Sequence, residues 1–418
     1  MALYSNFERN LSRILSKVPF FKKNIKLIYQ IVCYFLYKKN FKYKTKYYIK
    51  KINSRNTEAF FGYYDKSPMN ISNEWILFHE VPKGFSTKKP PSKYIALNIM
   101  AFNIKEKKYY FIAQTKSYNW QQGARLQWLD NHNFIFNQFN EDKKEYVSCI
   151  YNIKTLKKVK SINVPIYDTC SEFALTLNFD RLAELRKEYG YLNKKVDKLP
   201  ENKKDGICLV DLKTNSCKLL ISIYQIINFV NGGCINEAAQ HKVNHMMINP
   251  SKSKFVFLHR YFIKGVKYDQ LLLASKSGEL LKFFDNFNMV SHYIWQDNDN
   301  LIAYARNNKG VESYFQINTN TGQSRVLDNE LYKYGDGHPS IYKNKLLFDT
   351  YPNKARQKTL FIYDLKSKEY EQVISCLEPL GFYGGTRCDL HPRWSKDGKY
   401  IFIDSSHTGK RQLYMLEP

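Results

Sequence analysis

An apolar strand recurs seven times along this chain, each time behind a polar approach and a tight turn, and no other feature limits the fold as much. The units are SPMNISNEWILFHE (67–80), LQWLDNHNFIFNQF (126–139), TCSEFALTLNF (169–179), NPSKSKFVFLHR (249–260), YIWQDNDNLIAYAR (293–306), PSIYKNKLLFDT (339–350) and PRWSKDGKYIFIDS (392–405). Six are followed by a strand, a polar turn and a further strand, as in CIYNIKTLKKVKSI and LFIYDLKSKEYEQVI; the seventh runs out at QLYMLEP. Modules of mostly 42 to 60 residues, each with four short strands, predict an all-β, seven-bladed propeller. The last module lacks an outer strand, which residues 52 to 62 are expected to supply, closing the ring with both termini. The propeller thus spans 52–418.

One gap of about 80 residues separates the third and fourth units. There Phe179, Leu182 and Leu185 recur at helical spacing, predicting a helical insertion over about 178–204, and SIYQIINFV suggests a second short helix. The propeller absorbs the chain, leaving no room for a separate catalytic domain. The 33 tyrosines and 28 phenylalanines against 18 glycines favour aromatic-packed β structure over a glycine-rich nucleotide fold.

The net charge of +27 is uneven, because residues 1–51 hold 13 Lys and Arg against Glu8 alone, a net +12. Within this basic N-terminal segment, IKLIYQIVCYFLY (25–37) is too short to span a bilayer and is flanked by Lys22, Lys23, Lys26, Lys38 and Lys39. It reads as an amphipathic helix lying on an anionic membrane surface. No zinc-finger spacing, RNA-binding aromatic signature or basic zipper is present, so nucleic acid is not the expected partner. No small-residue cleavage site follows an apolar run, and the eight scattered cysteines form no Cys-x-x-Cys pair. Together these point to a cytoplasmic protein, peripheral at the inner membrane.

Seven of the nine histidines (241, 245, 259, 292, 338, 391 and 407) fall in the last four blades. His292, His338 and His391 hold equivalent places just before the inner strands of blades five, six and seven, forming an arc suited to a divalent metal or an acidic sugar. His241 and His245 in NEAAQHKVNH would face one way on a helix, but Glu237 lies outside the metalloprotease spacing. His259 and Arg260 are expected on a loop. Arg260, Arg306, Arg356, Arg387, Arg393 and Arg411 form a basic set able to hold carboxylates or phosphates. Trp120, Gln121 and Gln122 are expected at the channel mouth as stacking and hydrogen-bonding groups for a sugar, with Asp65 on the matching first-blade loop. His407 joins them at the end of the last blade.

The seven modules, DTYP and HPRWSKDGKYIFIDSSHTGKRQLY resemble the TolB-like propellers and, more narrowly, the oligogalacturonate lyases. The resemblance covers residues 60–418. It implies cleavage of acidic sugar chains by β-elimination with a histidine-bound Mn²⁺. It further implies a metal site of His292 (in HYIW), Asp389 and His391, where Asp389 stands for a family histidine and Thr386 and Arg387 occupy the region of a family glutamine. His245, Arg260, Arg387 and Arg393 are then the candidate catalytic groups, and Trp120, Gln121, Gln122, Asp65, His338 and His407 the candidate substrate-binding groups. The expected substrate is an acidic or phosphorylated glycan, or a lipid-linked glycan intermediate on which the enzyme would act as a glycan transferase instead of a lyase, in surface polysaccharide metabolism of the bacterial type. The other expectation is a non-catalytic propeller that binds a glycan or protein at the membrane surface.

Overall fold

Strand-forming runs flanked by Asn, Asp, Gly and Lys turns recur from residue 59 to the C-terminus, and each group of them folds into one antiparallel four-stranded sheet. The computed structural model describes residues 19–38, 43, 45–53, 55–231, 239–263 and 266–417. Seven sheets form seven blades: 59–115, 127–162, 168–222, 240–283, 287–326, 339–377, and 393–417 completed by an N-terminal strand. Within each blade burial falls from the inside outwards. Phe255–Leu258, in the second strand of blade 4, are at most 1 % exposed, whereas the outermost strand of blade 2, Lys157–Ile162, shows lysines to solvent. The second strands are apolar on both faces because each is sandwiched between neighbouring blades.

The ring closes one element earlier than the sequence predicts. Tyr48–Lys51 is the fourth strand of blade 7, paired antiparallel with Gln412–Glu417 from Tyr48↔Glu417 to Lys51↔Tyr414. Residues 52–62, expected in that place, instead lead into blade 1, whose inner strand is Ala59–Phe60. The reason is reach: Gln412–Glu417 has a free edge, and only the chain immediately upstream of blade 1 lies beside it. An apolar cluster containing Ile76 of blade 1, Phe134 of blade 2 and Phe402 and Met415 of blade 7 seals the junction. Removing residues 1–51 is expected to destabilise the propeller by about 2 kcal/mol, four ladder pairs at roughly 0.5 kcal/mol each, and to bare an edge that promotes association. Thermal melting and light scattering check this; an unchanged melting temperature in a monodisperse monomer would contradict it.

Among the described residues three α-helices accompany the sheets: α1 (Pro19–Lys38), α2 (Phe179–Leu185) and α3 (Ile223–Asn231). The expected helical insertion is helical only in α2, capped by Asn178 accepting from the Arg181 amide; 186–204 is irregular. The second helix forms as expected. No described helix is long and apolar enough to cross a membrane. Much of the N-terminal basic segment, and Glu237, lie outside the described residues.

Candidate metal centre

Four histidines meet at the centre of the ring, one from each of blades 4 to 7. His245 and His292 lie within the inner strands Gln240–Ile248 and Phe287–Trp295, each at a break in register that re-aims the side chain. His338 directly precedes the inner strand Pro339–Tyr342, and His391 sits two residues before Arg393–Trp394. The rings form a chain, with centroids 5.8 Å apart for His245 and His292, 4.2 Å for His292 and His338 and 4.4 Å for His338 and His391. Tyr63, from the loop after the first inner strand, packs against all four. So His245, read from sequence apart from the other three, is the fourth member of their set. The helix that would pair it with His241 does not form: both are on a strand, because the sequence there is a blade's inner edge.

His338, Asp389 and His391 bring one ligand atom each within 4.8 Å of one another. His338 Nδ1 lies 3.0 Å from Asp349 Oδ1 and 3.1 Å from Oδ2, so that nitrogen carries the proton and donates it to the carboxylate. Its Nε2 is then a lone pair, buried and without a partner; His391 Nε2 is likewise buried and unpartnered. Two buried imidazole nitrogens left unsatisfied are costly unless something binds them. Two imidazoles and a carboxylate are a donor set that suits Mn²⁺ or Zn²⁺, and the residues present therefore fit a divalent cation.

The backbone here is strained and held. His245 and His391 have φ of +54° and +44°, a left-handed conformation that costs about 1 to 3 kcal/mol outside glycine. The His391 amide donates to Asp349 Oδ2 (3.2 Å), and the His338 amide donates to Asp349 Oδ1 (2.7 Å). The His245 amide donates to the Tyr167 hydroxyl (3.0 Å), and its carbonyl accepts from Tyr293. Asp349 thus positions two of the three candidate ligands. Its carbonyl passes so close to Gly337 that a Cβ there would lie 1.8 Å from it, which is why GDGHPS has glycine before the histidine.

Electrostatics separate the four rings. Burial, then the nearby Arg260 and His292, depress His245 well below the usual histidine range. Burial and His338 do the same to His391. In His292, burial outweighs the Asp336 carboxylate 3.0 Å from its Nδ1, and the pKa is lowered. For His338, burial lowers the pKa, but Asp349 outweighs it and the net shift is upward. Asp389 is held well below the carboxylate range despite its burial, by Arg387 (Nε to Oδ2, 2.7 Å) and Lys358 (Nζ to Oδ1, 3.3 Å).

The expected triad therefore shifts by one blade: His338, expected to bind substrate, groups with Asp389 and His391, while His292 packs beside it with Nδ1 engaged by Asp336. Arg387 is at this cluster and partly exposed. Arg260 is not on a loop but inside the strand Lys254–Ile263, buried and paired with Asp269 at 2.5 Å; its field still reaches His245. His259, on the same strand, hydrogen-bonds His241. Arg393 clasps Asp404 (2.7 Å) and the carbonyls of Gly62 and Tyr63, and its charge helps depress His391. Trp120 is an apolar peg beside Phe60 and Tyr118, its indole donating to Lys89 O (2.8 Å). Gln121 and Gln122 are buried and donate to Arg387 O and the Tyr167 hydroxyl. Asp65 makes a two-pronged pair with Arg125, and His407 packs on Tyr414 and Tyr43 instead of joining the centre. Residues not singled out from sequence complete the site: Tyr63, whose hydroxyl is 2.9 Å from His245 Nδ1, Tyr189, Asp336 and Asp349. Asp336 stands two residues before His338 and Asp349 ends the strand in FDTYP, so proximity to a repeat-equivalent histidine was the available signal.

No protein-family model matches the chain, and no curated protein matches it. Among solved structures it is similar to an oligogalacturonate lyase from Vibrio parahaemolyticus, with TM-score 0.62 and 12% identity over 90% of this chain and 96% of that one. It is also similar to an oligogalacturonate lyase in complex with manganese, with TM-score 0.60 and 14% identity over the same shares. TolB from Acinetobacter baumannii matches at TM-score 0.41 and 9% identity, over 82% of this chain and 80% of that one. At these identities the likeness establishes the architecture: this chain is a seven-bladed β-propeller, folded like the oligogalacturonate lyases over nearly its whole length.

Proposed function

We propose that the protein is a carbohydrate-active propeller that acts on an acidic glycan at its central histidine cluster, with a divalent cation assisting β-elimination. The observation that carries this reading is the pair of buried, unpartnered Nε2 atoms of His338 and His391, on two residues that each bring a ligand atom within 4.8 Å of one on Asp389. His338, Asp389 and His391 would hold the cation, with Mn²⁺ favoured by the manganese complex of the similar lyase. When bound, the cation supplies positive charge that neutralises a uronate carboxylate and so acidifies the adjacent carbon. Arg387, partly exposed beside Asp389, binds that carboxylate on its other side. His245 is neutral at physiological pH through burial and its cationic neighbours. With Nδ1–H donated to the Tyr63 oxygen, Nε2 holds the lone pair that takes the proton, as the bond to the leaving sugar oxygen breaks, a carbon–carbon double bond forms and the departing oxygen takes up a proton from solvent to leave as a hydroxyl. Tyr63 and Tyr189 keep bulk water from that imidazole.

A second reading, a binder without chemistry, is favoured by one observation: both oxygens of Asp389 already accept from Lys358 and Arg387, which weakens it as a ligand. The test is to incubate the Mn²⁺-supplemented protein with uronate-containing glycans and follow the ultraviolet absorbance of the unsaturated product. Wild type is expected to generate it, and His245→Ala to lower kcat by about 100-fold or more. Glycan binding with no absorbance change from any uronate substrate would replace the lyase reading with the binder.

A further inference from the structure

The helix α1 presents to solvent the kind of face that a helix on a soluble domain turns inward. At about 100° per residue, Ile25, Ile28, Val32, Phe35 and Leu36 fall within one arc roughly 100° wide. All five are exposed, Ile28 and Phe35 at 62% and Leu36 at 70%, whereas Cys33 and Tyr34, off that arc, are buried at 6%. An outward stripe without one polar side chain is the inverse of ordinary helix amphipathicity. It calls for an apolar partner.

The charge around it says which. Residues 1–51 carry 13 Lys and Arg against one acid, and Lys22, Lys23, Lys26 and Lys38 belong to the helix itself. A second copy of this chain would bring the same net +12 to the contact and be repelled. A bilayer rich in anionic lipid supplies both the apolar phase and the opposite charge. Because α1 is not apolar enough to cross, it would lie in the interface.

We propose that the exposed Ile25–Leu36 face of α1 docks the propeller on an anionic membrane surface. This rests on none of the residues of the histidine cluster and stands or falls apart from the chemistry there. The test is co-sedimentation of the full-length protein with vesicles of phosphatidylcholine alone, or of phosphatidylcholine mixed with phosphatidylglycerol. Wild type is expected to partition onto the mixed vesicles, less so onto neutral ones, and to be released as salt rises. Ile28→Asp/Phe35→Asp is expected to lower partitioning by about tenfold or more with an unchanged melting temperature, since both side chains are exposed. Wild type left in the supernatant of mixed vesicles, binding equal to neutral and anionic vesicles, or undiminished binding by the double variant would each overturn the proposal. So would a wild-type dimer that the double variant splits without any vesicle binding, which would assign the face to a second copy.

Discussion

His338→Ala and His391→Ala should each lower Mn²⁺ affinity by about 100-fold or more, read by isothermal titration and by elemental analysis of protein purified without an affinity tag. Each removes one of two buried nitrogens whose lone pair has no other partner. Losing a ligand should cost at least as much as losing the group that orients it, a change worth roughly 10- to 100-fold. Asp349→Asn supplies that comparison. It keeps an acceptor for His338 Nδ1 but loses the charge and one of the two oxygens that hold the His338 and His391 amides. Its affinity should fall between wild type and the alanine variants. His407→Ala is the internal control, because that ring packs on Tyr414 and Tyr43 away from the cluster. Wild type that takes up no Mn²⁺, or a His407→Ala loss equal to that of His391→Ala, would remove the metal centre.

The repeat was legible because a blade is encoded locally: an apolar strand, its turn and its neighbour lie within a few tens of residues. The closing strand was not. Tyr48–Lys51 reads as part of a basic tail, and only the free edge of Gln412–Glu417, more than 360 residues away, makes it a strand. The arc of His292, His338 and His391 was visible as equivalent repeat positions. What stayed hidden was the register. Breaks between Asn244 and Met247 and between Val290 and Tyr293 decide how His245 and His292 meet the centre, and no residue type announces them.

The arginines misled for a different reason. A guanidinium in the sequence looks available for an anionic ligand, yet the buried ones here already have their acceptors, and Arg411 fills its own with backbone carbonyls. Arg260 has Asp269, Arg356 has Glu378, and Arg393 has Asp404. These partners lie 9, 22 and 11 residues apart in the chain and become neighbours only when the strands of one blade pair. Trp120 and the two glutamines after it were likewise read as ligand groups, although they wedge blade junctions.

Arg393 carries the sharpest form of this distinction. It is 1% exposed, donates through Nη2 to Asp404 at 2.7 Å and to Gly62 O, and donates through Nε to Tyr63 O at 2.9 Å. Asp404 in turn accepts from the amides of Phe61 and Gly62, both at 3.0 Å. The pair therefore ties blade 7 to the first-blade loop that carries Tyr63 into the histidine cluster. Arg393→Met leaves the Asp404 carboxylate buried with its main counter-charge gone, and breaking such a pair costs about 3 to 5 kcal/mol. Urea unfolding should show that loss, with Mn²⁺ affinity changed less than tenfold because no ligand is touched. Arg393→Lys keeps the charge but lacks the fork that reaches two carbonyls and a carboxylate together, so it should recover only part of the stability. A variant as stable as wild type that nevertheless fails to act on or bind the glycan would reverse the assignment and return Arg393 to the reacting groups. Loss of stability with binding intact would make it the clasp that closes the ring and sets where Tyr63 meets the four imidazoles.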